Sequence, residues 1–169
     1  MTSGPDAGMP PFRNEKNSSW EGAYRVPALV RWPARIEAGT VLTGIVSHND
    51  WFVTLCAAAG VPDIAEKLRA GTDLGGTTYK VHLDGHDQLP YLTGEADESP
   101  RQPFFSVADD GDLTGLRSAN RRFVLLEQRC TGTMRIWAEP YTELRVPLIF
   151  NLRTDPYERA EITSNTYYD

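Results

Sequence analysis

Three features of this chain predict an α/β fold that grades into α+β. The first is an almost unbroken apolar run, Val26 to Trp32, of the kind that forms a strand covered on both faces. The second is a helix signature that opens at Ser47 and closes at Gly60. The third is a succession of short strand-like runs beyond Ser99-Pro100, separated by turn residues.

The elements follow in order. Residues 1–15 are rich in Gly, Pro and polar side chains and read as an irregular, exposed arm. Lys16 leads into a polar turn, Asn17-Ser18-Ser19, and then into Trp20-Glu21-Gly22. The Val26–Trp32 strand places the residues at its mouth beside the groove where open α/β sheets bind ligands. Pro33 ends that strand, and Ala38-Gly39 turns the chain. At Ser47 the side chain can accept from the amide three residues on while Asp50 reaches back, a capping box. Trp51 with Leu55, and Phe52 with Cys56, lie one turn apart and predict a broad apolar face. Gly60 suits a left-handed cap, and Pro62 prevents continuation. Asp63 can cap a second helix through Ile64 to Arg69, stopped at Gly71. Gly75-Gly76 precedes a short strand at Thr78–Leu83, Asp84-Gly85 makes a turn, and Leu89–Leu92 forms one helical turn. Strands are then expected at Phe104–Ala108, Leu113–Arg117, Arg122–Glu127, Met134–Trp137 and Leu148–Leu152. Asp109-Asp110-Gly111-Asp112 and Ser118-Ala119-Asn120 read as hairpin connections, so an antiparallel meander of about four strands is the simplest arrangement.

Composition sets limits on function. Over 169 residues, 40% hydrophobic and 10% aromatic content suffices for a packed core. A net charge of −6 argues against nucleic acid or an anionic membrane surface as the main partner. No apolar run approaches the ~18 residues of a membrane span. The start, Met1 to Gly8, has neither a basic head nor an apolar stretch and does not read as a secretory signal; localisation is left open. Cys56 and Cys130 are too few for a disulfide framework and read as free, buried thiols, with a single bridge as the alternative. Gly85 separates His82 from His86 and no third ligand is evident, so this run is not read as a metal site. The acidic run around Gly111 lacks the spacing of a calcium loop and reads as a solvated hairpin tip.

By residue type alone, Lys16 is a solvated surface charge. Its context changes the reading. Phe12-Arg13-x-Glu15-Lys16, Trp20-Glu21-Gly22 and Arg25-Val26-Pro27 occur in that order, followed by Arg31-Trp32-Pro33, Ile36 and Gly39-Thr40. Ser47-x-x-Asp50-x-x-x-Thr54-Leu55 comes next, then Ala58-Ala59-Gly60, Asp84-Gly85, Leu89-Pro90-Tyr91-Leu92 with Gly94, and Ser99-Pro100-Arg101. The series ends in Phe150-Asn151-Leu152-Arg153-Thr154-Asp155-Pro156-Tyr157-Glu158. Over residues 6–169 this series resembles the carboxy-terminal third of the sulfatases, the arylsulfatase-like branch of the alkaline phosphatase superfamily. Two positions depart from the family pattern: Ala23 stands where a second glycine is usual, and Val53 where proline is usual.

The resemblance implies an alkaline-phosphatase-like fold. Residues 16–98 would be the last strand-and-helix part of the catalytic domain, and 99–169 a small antiparallel-sheet domain that stops before the family's terminal helix. It implies a parent enzyme that hydrolyses aryl or carbohydrate sulfate esters with a formylglycine nucleophile and Ca2+. Lys16 is similar to the family's lysine that binds the sulfate oxygens. A fixed ammonium there stabilises the charge that spreads over the sulfuryl oxygens during S–O cleavage. Glu21 and Arg25 either support the lysine loop or form an ion pair or cap at the strand mouth. The formylglycine pattern, Cys/Ser-x-Pro/Ala-x-Arg, is met by neither cysteine, and Asp6 aligns with a non-ligand stretch, so the nucleophile and the calcium cage are expected outside this chain. The chain alone is therefore expected to be inactive and to bind no cofactor. Its expected partners are the sulfate ester, the remainder of the sulfatase chain and, through the unpaired edges of the strand, further copies of itself. The alternatives are a non-catalytic interaction module, or a phosphodiesterase or phosphonate hydrolase of the same superfamily.

Overall fold

In the computed structural model, described for residues 11–160, the chain falls into two compact units. One contains residues 30–102; the other combines residues 11–29 with 103–160. Residues 1–10 of the expected arm, Asp6 among them, and the carboxy-terminal stretch from 161 lie outside the described residues.

The 30–102 unit is built on helix α2 (His48–Ala58), its capping box formed by Ser47 and Asp50 as the sequence predicts. Gly60 takes the left-handed conformation, with φ of 91°. Helix α3 (Ile64–Ala70) follows, although the Asp63 side chain pairs with Lys67 at 2.9 Å instead of capping it. Val53, Ile64 and Leu68 form the small core between these helices, with Cys56, Val61 and Leu83 packed around it. The apolar face expected of α2 is not the buried one. Phe52 and Leu55 are exposed, while Asp50, Val53 and Thr54 face inward. Hydrogen bonds set this rotation. The Asp50 carboxylate accepts from the Ser47 and His86 amides at 2.8 Å, from Gln88 Nε2 at 3.0 Å and from Arg101 Nη2 at 2.6 Å. Burial alone would raise Asp50, but the Arg101 guanidinium and these amides outweigh it and hold its carboxyl below the usual range.

Two further expectations change here. The Thr78–Leu83 strand is replaced by a hairpin of β1 (Thr72–Leu74) and β2 (Thr77–Tyr79) turning on Gly75-Gly76, both at positive φ. Asp84-Gly85 is not a turn; a Cβ on Gly85 would lie 2.2 Å from the Asn49 carbonyl oxygen, so glycine is there for close approach to α2. Helix α4 (Leu89–Thr93) ends on left-handed Gly94 where the sequence places its stop.

The Val26–Trp32 run is the main fold correction. It forms no strand, and Leu29 is 99% exposed. A strand of this composition needs partners on its edges, and no described segment pairs with it.

The other unit is a four-stranded antiparallel sheet in sequential order: β3 (Pro103–Val107), β4 (Leu113–Ser118), β5 (Arg121–Glu127) and β6 (Thr142–Asn151). The meander is the one predicted, with one exception. Met134–Trp137 is a turn of 3-10 helix in the β5–β6 connection, and β6 is longer than expected. Thr133 caps that turn, and the buried Gln128 side chain donates to the carbonyls of Ile136 and Glu139, so its backbone groups are satisfied without a sheet. Pro147 is tolerated because β6 is an edge strand and the ladder with β5 shifts register there, between Val124 and Leu126. Trp20, Val124, Phe150 and Leu152 form the core on this sheet. Both cysteines are free and half-buried, less enclosed than expected.

Candidate functional site

Lys16 sits at the tip of a loop closed by its own backbone. The Gly22 amide donates to the Arg13 carbonyl at 2.9 Å, joining the two legs. Within the loop, the Ser18 amide and hydroxyl both donate to the Glu15 carbonyl, at 3.2 and 2.6 Å. Lys16 and Asn17 are the two central residues of that turn. Asn17 has φ of 65°, a conformation Asn tolerates better than most residues. Gly22 is there for space: a Cβ would lie 2.3 Å from the Asn14 carbonyl oxygen. Ala23, the departure from the family pattern, lies in the single helical turn α1 (Glu21–Tyr24) and is not at positive φ, so its methyl is compatible with the backbone.

The legs of the loop are tied to the sheet. The Ser19 hydroxyl donates to the Leu126 carbonyl, and Arg122 donates to the Ser19 carbonyl, both at 2.6 Å. Trp20 is buried edge-on against Phe150, with the Arg13 guanidinium 3.4 Å above its ring. The buried Glu15 accepts from the Gly132 amide at 2.5 Å. Lys16 itself is exposed, and its ammonium lies 5.3 Å from the centroid of the Trp137 ring.

Of the two companion residues, Glu21 is buried and Arg25 exposed. Glu21 pairs with Arg117 Nη1 at 2.8 Å and stands 3.9 Å from Arg25 Nη1, while its amide donates to Glu158 Oε2 at 2.9 Å. Arg25 stacks over Phe12 at 4.1 Å. The structure thus gathers Lys16, Glu21 and Arg25 on one segment, but only Lys16 offers an open charge at the loop tip.

Sequence reasoning did not single out the cluster beneath the loop: Arg13, Arg117, Arg122 and Glu158. Burial pushes the Glu158 carboxyl up to about 7, against the Glu21 amide and the Arg122 and Arg13 charges. Its Oε1, and Nε of Arg117 and Arg122, are buried without a partner among the described residues. Strand alternation carries a signal for Arg122, which shares the inward face of β5 with Val124.

Among the described residues no group of three or more His, Cys, Asp and Glu side chains could hold a metal ion. The described residues therefore offer no cage for a calcium ion.

The comparisons with known proteins agree on one family. Residues 4–61 match the family profile described as Sulfatase. Mouse (Mus musculus) steryl-sulfatase is 28% identical over 90% of this chain and 24% of its own length. Rat (Rattus norvegicus) N-acetylgalactosamine-6-sulfatase is 31% identical over 94% of this chain and 30% of its own. Among solved structures, the PsFucS1 sulfatase from Pseudoalteromonas sp. superimposes with a TM-score of 0.75 and 28% identity, over 95% of this chain and 30% of that one. In sequence and in fold the chain is similar to one portion of the sulfatases. It spans 24–30% of the length of these relatives.

Proposed function

We propose that this chain carries the sulfate-binding lysine of an arylsulfatase-type sulfuric ester hydrolase that acts on aryl or carbohydrate sulfates. The observation that supports this best is Lys16: an exposed ammonium on a turn whose two legs are fixed by hydrogen bonds. Such an ammonium meets the sulfuryl oxygens without reorganising as negative charge develops on them. Glu21 serves as a positioning residue, because its ion pair with Arg117 anchors the segment just beyond the loop. In this reading the formylglycine nucleophile and Ca2+ belong to other parts of the parent protein. The chain alone supplies neither and is inactive by itself.

The test is Lys16→Ala in the complete protein. Loss of one preorganised oxyanion partner is expected to lower kcat/KM for 4-nitrophenyl sulfate by roughly 10²–10³. Stability is expected to change by less than about 1 kcal/mol, since the side chain is exposed. Near-wild-type kinetics would return Lys16 to an ordinary surface charge.

A further inference from the structure

Trp137 is left outside the core although the sheet unit buries Trp20, Phe150 and Leu152. It is 56% exposed, while its neighbour Ile136 is buried and anchors the same 3-10 turn. That turn is held from beneath. Gln128, itself buried, donates to the carbonyls of Ile136 at 3.4 Å and Glu139 at 2.7 Å, and the Thr133 hydroxyl accepts from the Arg135 amide at 3.2 Å. Glu15, the residue beside Lys16, takes the Gly132 amide at 2.5 Å. The lysine turn and the tryptophan turn are therefore fixed to each other, and the Lys16 ammonium lies 5.3 Å from the Trp137 ring centroid. A single exposed aromatic is ordinary. An exposed indole pinned at its backbone beside an exposed cation is a preorganised pair.

We infer that Trp137 is a stacking platform for the ring that bears the sulfate, so that the pair selects sulfate esters of flat or cyclic alcohols, aryl or pyranose, over open-chain alkyl sulfates. This rests on the reading of Lys16 as the sulfate-binding residue. With the sulfuryl oxygens on the ammonium, the ester oxygen carries the remainder of the substrate one bond away, beside the indole. A rigid aromatic face gains most from a ring it can cover, by stacking on an aryl group or on the C–H face of a sugar. A flexible alkyl chain covers it less well and must be ordered to do so.

The experiment compares 4-nitrophenyl sulfate with butyl sulfate in the complete protein, using W137A, W137F and K16A. W137A is expected to raise KM for the aryl ester about tenfold with little change in kcat, and so to lower the aryl-to-alkyl ratio of kcat/KM about tenfold. W137F is expected to restore most of that ratio. K16A is expected to lower kcat/KM for both esters and leave the ratio unchanged. An unaltered ratio in W137A, or an equal loss on both esters, overturns the platform; the equal loss would mean that Trp137 only holds the lysine through its cation–π contact. If K16A lowers both rates, the sulfate reading survives that outcome. If K16A turns over both esters at wild-type rates, the sulfate reading falls and the platform falls with it.

Discussion

At Glu158, burial and charge act against each other. The side chain is fully enclosed, its Oε2 accepts the Glu21 amide and its Oε1 has no partner among the described residues. Burial dominates and lifts the carboxyl to about 7 from an ordinary 4.5, helped by repulsion from Glu21 and opposed by Arg122 and Arg13. A folded-state pKa above the unfolded one means that the folded state holds the proton more tightly. The contribution of Glu158 to stability is therefore fully present below pH 4.5 and is lost as pH rises towards 7. The shift corresponds to a change on the order of 3 kcal/mol. Glu158→Gln has no proton to lose. Urea unfolding of both proteins between about pH 4.5 and 8 is expected to show the wild type losing stability relative to the variant across that interval. A difference between them that stays constant with pH would mean that Glu158 is ionised throughout.

The Arg13–Gly22 loop is the element on which the proposed chemistry depends, and its closure depends on glycine. A Cβ on Gly22 would meet the carbonyl oxygens of Asn14 at 2.3 Å and Arg13 at 2.4 Å, both rigid backbone atoms. Gly22→Ala must then open the loop base and weaken the Gly22–Arg13 hydrogen bond, at a cost of about 1–3 kcal/mol. Because Lys16 moves with the loop, sulfate-ester turnover in the complete protein should fall as well. The neighbouring Ala23→Gly change should cost only about 0.5–1 kcal/mol, by loosening a helical turn. Thermal unfolding of the two variants checks the contrast, and equal effects would remove the steric argument. This loop also shows what the sequence reveals and what it hides. The polar turn and Gly22 stand in a contiguous motif and were legible. The Arg122 and Glu158 supports come from residues more than 100 positions away, and only tertiary packing brings them beneath the loop. Elements set by local rules were legible too: the capped helix α2, its stop at Gly60 and the meander with its turns. Elements that needed a distant partner were not. The inward face of α2 is chosen by Arg101 and Gln88, and Met134–Trp137 coils because Gln128 satisfies its carbonyls.

Across the whole chain, the apolar residues divide unevenly between core and surface. Two small clusters hold most of the buried ones, whereas Val26, Leu29 and Val30 are exposed on the run that composition marks as a strand. An apolar run whose amides and carbonyls have no strand partner among the described residues is a template for strand pairing with another chain. The net charge of −6 opposes association, but at about 0.15 M ionic strength exposed charges are screened beyond about 8 Å, whereas burial of apolar area is not. Contact burial should therefore win. The isolated 169-residue chain is expected to self-associate and to bind an apolar-surface dye, with little relief from added salt. Replacing Leu29 and Val26 by serine should lower both signals, because these are the most exposed large apolar side chains of the run, at 99% and 59%. Light scattering decides the matter: a monodisperse 18.9 kDa species that unfolds cooperatively and binds no dye would show that the exposed stretch needs no partner.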